Sequence, residues 1–178
     1  MTKVINLFGS PNSGKSTVTG GLFYYLKMDK VHCEMVREYI KNWVWEGRRP
    51  NKYDQPYIFG KQLKYESLLY NKVDYIITDS PFILAAYYER IHEKTQIVLP
   101  AAQAFMKHAN DNGVEYINFW LDTIPEIDDR GRHHSKEMIE MIAKDMKSWL
   151  VDELKLKLHD VDCPLDKRVE FILDKIKG

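Results

Sequence analysis

The sequence predicts an α/β fold, a three-layer sandwich with a five-stranded, mostly parallel sheet at its centre. Short apolar runs rich in β-branched residues alternate with segments of helical periodicity, the order that builds a parallel sheet covered on both faces. Polar residues, Gly9, Glu38, Asp79 and Asp122, follow the carboxyl ends of successive strand candidates. Ligands of such sheets bind at that edge. At 178 residues the chain is long enough for one domain with a sizeable core and short for two, so 1–178 reads as a single domain.

The elements follow in order. Lys3–Phe8 is a buried strand bounded by Gly9, and Lys15–Lys27 is a helix with Val18, Leu22, Tyr25 and Leu26 at helical spacing. Val31–Arg37 is a second strand. Tyr39–Glu46 is a short helix ended by Gly47 and the Arg48-Arg49-Pro50 turn. Asp54–Asn71 is a long helix, with Asp54 as its cap and Pro56 in its first turn. Val73–Thr78 is a third strand, stopping at Asp79-Ser80-Pro81. Helices are expected over Phe82–His92 and Pro100–Asn110, and a fourth strand over Glu115–Leu121. Ser135–Leu156 reads as one amphipathic helix capped by Ser135, Leu156–Val161 as a fifth strand and Pro164–Ile176 as the last helix.

The strongest motif is Gly9-x-x-x-x-Gly14-Lys15-Ser16, set between a strand and a helix as a phosphate loop requires. It makes the fold a P-loop NTPase-type sandwich. Glycines let backbone N–H groups turn towards phosphate oxygens, and the helix beginning near Lys15 adds its positive dipole end. Lys15 is expected to reach the β- and γ-phosphates, and Ser16 to ligate Mg²⁺ through its hydroxyl. Pro11, Asn12, Ser13 and Thr17 complete the lining of a nucleoside-triphosphate site.

Two carboxylates stand at strand ends. Asp79 is placed to order Mg²⁺, with capping of the following helix as the alternative. Glu38 could take a proton from an attacking hydroxyl, or pair on the surface with Arg37 or Lys41. A base and a metal holder suit phosphoryl transfer to an alcohol, and spacing does not decide which is which. After the fourth strand, a polar segment of about 122–134 carries Arg130 and Arg132, which could close as a lid and neutralise charge on a transferred phosphoryl group. A solvated loop is the alternative. His133 and His134 lack the spacing of helical metal ligands.

The region of about 38–70 is rich in aromatics, with Arg48, Arg49 and Lys52 among them. Tyr39 and Trp43 could stack on a base, Arg48 and Arg49 could hold phosphates, and Gln62 could read a base edge. The bland alternative places these rings in the core or in a homodimer contact.

Composition limits the other readings. Charges balance at 26 against 26, which gives no global footprint for nucleic acid, although a local patch such as Arg48-Arg49-x-x-Lys52 can still supply one. The two cysteines, Cys33 and Cys163, form no metal or disulfide pattern and read as buried thiols. The chain enters its first strand almost at once, leaving no room for a signal peptide, and no apolar run reaches membrane-spanning length. The expected location is the cytoplasm, with no membrane partner.

Taken together, Gly9–Thr17, the Glu38-Tyr39 stretch with downstream Trp43 and Trp45, Phe59-Gly60-Lys61-Gln62, Thr78-Asp79-Ser80-Pro81 and Asp129–His134 resemble phage P-loop kinases related to the ribosylnicotinamide kinase domain. Within that branch the sequence is similar to the phage 5-hydroxymethyluridine DNA kinases. The resemblance covers most of the chain. It implies ATP and Mg²⁺ as cofactors and a hydroxymethylated pyrimidine in phage DNA as acceptor, with a small nucleoside or ribosylnicotinamide as the competing acceptor. It carries Gly14, Lys15, Ser16 and Thr17 over as nucleotide ligands, Asp79 as the acidic partner, Arg132 as the closing arginine and Glu38 as a further carboxylate. From another class, an NTP-hydrolysing switch ATPase remains open at this stage.

Overall fold

The computed structural model describes residues 1–51, 53–124 and 136–177. Among these residues, five strands, β1 (Thr2–Phe8), β2 (Cys33–Val36), β3 (Tyr75–Thr78), β4 (Val114–Leu121) and β5 (Leu158–Val161), form one sheet in the order β2-β3-β1-β4-β5. Every pairing is parallel, including Ile5 with Ile77 and Ile117 on either side of β1. The chain thus winds to one side of β1 for β2 and β3 and to the other for β4 and β5. The direction reverses at β1, where a crevice opens at the strands' carboxyl ends.

Among the described residues, seven α-helices cover the sheet: α1 (Lys15–Met28), α2 (Lys41–Trp45), α3 (Asp54–Ser67), α4 (Leu84–His92), α5 (Val98–Asp111), α6 (Lys136–Ser148) and α7 (Leu165–Lys177). Strand side chains alternate between faces, which explains the two main cores. Ile5, Leu7, Ile77, Phe119 and Leu121 pack on one face against Val18, Leu22 and Leu26 of α1 and Ile172 and Ile176 of α7. Phe8 and Trp120 face the other way, against Phe59, Tyr87, Ala102, Ile142 and Trp149. The expected three-layer architecture is the observed one. A cross-strand pair, Asn6 Nδ2 donating to Asn118 Oδ1 at 2.9 Å, joins β1 to β4 inside the second core.

Several boundaries differ from expectation, each for a local reason. Asp54 is the first residue of α3 and not its cap. Tyr53 precedes it at φ 72°, and the Asp54 carboxylate reaches back to accept the Asn51 N–H at 2.7 Å. Helix α5 begins two residues before Pro100, because the buried Glu89 accepts the N–H groups of Ile97 and Val98 at 3.0 and 2.8 Å and so caps it from α4. The helix that follows residues 125–135 is also not uniform. Past Ser148 it widens into a π-helical turn over Trp149–Glu153, closed by Leu154 N–H donating to Trp149 O, and Lys155 at φ 56° ends it. Cys33 is buried as expected, whereas Cys163 is half-exposed. The expected Ser135 cap lies outside the described residues. No helix among the described residues is long and apolar enough to cross a membrane.

Candidate active site

The phosphate loop leaves β1 and turns into α1 at the carboxyl edge of the sheet. Gly9 sits at φ 149°, where an added Cβ would lie 2.5 Å from the Leu121 carbonyl oxygen and 2.6 Å from Ser13 Oγ. Gly14 sits at φ 72°, with Leu165 and Ile124 methyls 2.7 and 2.9 Å from where a Cβ would stand. Both glycines are therefore demanded by backbone conformation and by space. Lys15 Nζ spans the mouth of the loop, donating to Gly9 O and Ser10 O at 2.8 Å and to Ser13 Oγ at 3.3 Å. Asn12 and Ser13 are buried in the loop, Pro11 is half-buried, and Ser16 and Thr17 face solvent in the first turn of α1.

The loop is tied to the end of β4. Ser10 Oγ meets Thr123 Oγ1 at 2.7 Å, Ile124 N–H donates to Asn12 O at 2.9 Å, and Asn12 Nδ2 donates to Ile124 O at 3.3 Å. These bonds anchor the segment leading into residues 125–135. Arg130 and Arg132 belong to that segment and lie outside the described residues.

Asp79, at the end of β3, is buried and engaged through both oxygens. Ser16 Oγ donates to Oδ2 at 2.7 Å and the Glu38 N–H donates to Oδ1 at 3.1 Å. One carboxylate thereby joins the phosphate loop to the end of β2. Burial pushes the Glu38 carboxyl above its ordinary value, the nearby Lys15 ammonium works against that rise, and the charge of Asp79 adds to it. The Ser16 hydroxyl and Asp79 carboxylate are adjacent hard oxygen donors, the donor type that Mg²⁺ accepts.

Beyond Glu38 opens a cleft of about 470 Å³ lined by Arg37, Glu38, Tyr39, Lys41 and Tyr65 among others. The aromatic cluster flanks it. Tyr39 and Tyr57 share a hydroxyl contact of 2.9 Å, and Tyr39 meets Trp43 edge to face. Two expected contacts look different in place. Trp43 is only 5% exposed, the Arg48 guanidinium covers its ring at 3.5 Å, and Tyr57 stacks beside it, so it is no open platform for a base. Arg48 also lies 3.5 Å from Asp54, while Arg49 is exposed. Gln62 is buried, with its amide spent on backbone: Oε1 accepts the Tyr39 N–H at 3.0 Å and Nε2 donates to Arg37 O at 3.3 Å. It braces the Glu38 turn instead of facing a base. Tyr53, Tyr57, Tyr65 and Trp45 are the exposed rings of the region.

Two residues near the site escaped the sequence reading. Tyr88 on α4 lies close enough to Glu38 for that carboxylate's charge to add to the upward shift that burial imposes on its phenol. Arg168 on α7 reaches the loop from behind, a placement announced in sequence only by an arginine on the apolar stripe with Ile172 and Ile176.

Residues 4–168 match a protein family described as an AAA domain. The chain belongs to this AAA-domain family. The fold of this AAA domain is that of P-loop kinases. It is similar to deoxyadenosine kinase from M. mycoides with bound dATP, at TM-score 0.60 and 17% identity over 98% of this chain and 100% of that one. It is also similar to Mycobacterium tuberculosis APS kinase CysC in complex with AMPPNP and APS, at TM-score 0.55 and 10% identity over 99% and 98%. A mutant of that APS kinase gives 0.56 and 12% over the same shares. No curated protein matches this AAA domain.

Proposed function

We propose that this AAA domain is an ATP-dependent kinase that transfers the γ-phosphoryl group of ATP to a hydroxyl. The observation that carries the reading is the Asp79 bridge: Ser16 of the phosphate loop on one oxygen, the Glu38 backbone on the other. It sets a second, less acidic carboxyl beside the phosphate end of the site, facing the cleft. A switch ATPase needs the metal carboxylate, but a second carboxylate facing an acceptor cleft suits a kinase.

Each residue then has a task. Backbone N–H groups of Gly9–Thr17 and the Lys15 ammonium hold the phosphates. Ser16 and Asp79 would hold Mg²⁺, which when bound neutralises charge on β- and γ-phosphate oxygens. Glu38 accepts the proton of the attacking hydroxyl, a role for which a raised pKa makes it a stronger base than an ordinary carboxylate. Arg130 and Arg132 close over the transferred group. In-line attack breaks the bond between the γ-phosphorus and its bridging oxygen, and ADP leaves.

The acceptor we favour is the 5-hydroxymethyl group of hydroxymethyluracil in phage DNA, on the motif resemblance described above and on the exposed rings and cations around the cleft. A base inside a duplex would have to be flipped out to reach Glu38. A free nucleoside or ribosylnicotinamide is the competing acceptor, and the dATP-bound neighbour favours keeping a nucleoside in view. The test is incubation with γ-labelled ATP and Mg²⁺ against hydroxymethyluracil-containing DNA, the free nucleoside and ribosylnicotinamide. Label on DNA alone supports the favoured acceptor. Label on a small molecule replaces it, and phosphate release without acceptor replaces the kinase by an ATPase.

A further inference from the structure

We infer that Arg168 is a positioning residue of the phosphate loop, holding the Ser13–Gly14 peptide so that the Gly14 N–H faces the nucleotide phosphates. The inference rests on the ATP-binding reading above. Arg168 Nη1 donates to the Ser13 carbonyl at 2.7 Å and to the Asp122 carbonyl at 3.0 Å, while Nε donates to the Cys163 carbonyl at 3.0 Å. One guanidinium thus joins the phosphate loop, the end of β4 and the turn before α7. The residue is 5% exposed, on the same stripe of α7 as the buried Ile172 and Ile176.

Two physical arguments lead from that geometry to phosphate binding. The first is peptide planarity. In a trans peptide the carbonyl oxygen and the following N–H point in opposite directions, and the chain has no cis bond among its described residues. Fixing Ser13 O on Arg168 therefore turns the Gly14 N–H away from Arg168, towards the side of the loop that Lys15 spans. Gly14, at φ 72°, has the backbone freedom that would let this peptide rotate without such a tether. The second argument is charge. Burying a cation is costly unless something offsets it. Among the described residues, Arg168 is held by carbonyls and by no carboxylate. Its charge thus sits behind the phosphate loop, offset directly by carbonyl dipoles and not by a contacting carboxylate. A lysine has no planar fork and cannot span the same carbonyls in fixed directions.

The test compares wild type, Arg168→Lys and Arg168→Gln in calorimetric titrations with ATP, ADP and adenosine. The expected result is about a tenfold loss of ATP and ADP affinity in Arg168→Lys and a larger loss in Arg168→Gln. Adenosine binding should be unchanged, and under turnover KM for ATP should rise more than kcat falls. A merely structural role would weaken all three ligands together, and that outcome overturns the inference, as does wild-type ATP affinity in Arg168→Lys. Should neither variant fold, the wild type decides. Its Arg168 Nε–H resonance should be protected from exchange, this resonance and that of the Gly14 N–H should both move when ADP is added, and an unmoved pair overturns the inference. A wild type that binds no ATP at all removes the nucleotide reading itself, an outcome distinct from equal binding by wild type and variants.

Discussion

Ser16 Oγ donates to Asp79 Oδ2 at 2.7 Å, so the hydroxyl that opens α1 and the carboxylate that closes β3 are directly paired although they lie 63 positions apart in the chain. A pair of this kind predicts a metal phenotype. Asp79→Asn should lower phosphoryl transfer by roughly a hundredfold or more, and Ser16→Ala should raise the Mg²⁺ concentration needed for half-maximal rate. ATP binding measured without Mg²⁺ should change little in either variant. A magnesium titration of initial rates checks this, and an unaltered magnesium requirement in both variants removes the pair from the metal site.

Lys15 bridges the phosphate loop, from Gly9 O and Ser10 O at its start to Ser13 Oγ further on, and its charge also bears on Glu38. Lys15→Ala should abolish transfer. It should also raise the Glu38 pKa further, because the stronger of the two cations that oppose the rise, Lys15 and Lys41, is gone. Unchanged turnover would remove the cradle assignment.

Glu38 should reveal itself in a pH–rate profile. Its folded-state pKa lies above the usual carboxylate range, so the basic form accumulates as pH rises through that raised value. The rate should climb on the acid side and level off above it. Glu38→Gln should lower kcat far more than ATP affinity and should flatten the acid limb. A loss of affinity alone, with the limb intact, would assign the limb to another group.

Much of this arrangement was legible in the sequence because it is written locally. Strand runs, the phosphate-loop spacing and the acids after β2 and β3 are short-range patterns, and the five strands and seven helices came out in the expected order. What was not legible depends on side chains arriving from elsewhere. The early start of α5 is set by Glu89 on the preceding helix. Gln62 looked like a base reader because its spacing sets it beside Ile58 and Tyr65, yet it lies on the buried stripe of α3 with Gln55, Phe59 and Glu66, and its amide is spent on the Tyr39 and Arg37 backbone. Arg168 serves a loop 155 residues away. Its one sequence mark was a charge where α7 should be apolar.

Glu89 predicts a stability effect with no catalytic counterpart. It accepts from Thr95 Oγ1 and from the Ile97 and Val98 N–H groups, at 2.8, 3.0 and 2.8 Å. Glu89→Ala leaves these donors without their acceptor beside a buried helix start. The expected cost is about 2–4 kcal/mol, read as a lower urea midpoint. Glu89→Gln retains one amide oxygen and should lie between Ala and wild type.

Glu66 gives the pH dependence of stability. It is fully buried on α3, with Tyr70 OH donating to Oε1 at 2.6 Å and no cation beside it among the described residues, and burial pushes its pKa up to about 7. The unfolded chain binds the same proton with a pKa of about 4.3. Between these values the folded state holds the proton and the unfolded state has lost it, so deprotonation favours unfolding. Stability from this group is therefore full below the unfolded value, falls as pH rises through the window and levels off above about 7. The difference amounts to about 4 kcal/mol. Glu66→Gln cannot ionise, so it should lose this slope and be more stable than wild type at pH 8. Urea unfolding at pH 5, 6, 7 and 8 measures it. A wild-type slope retained in Glu66→Gln would place the titration on another residue, and a wild type equally stable at pH 5 and 8 would mean that the carboxyl finds a compensating partner when it ionises.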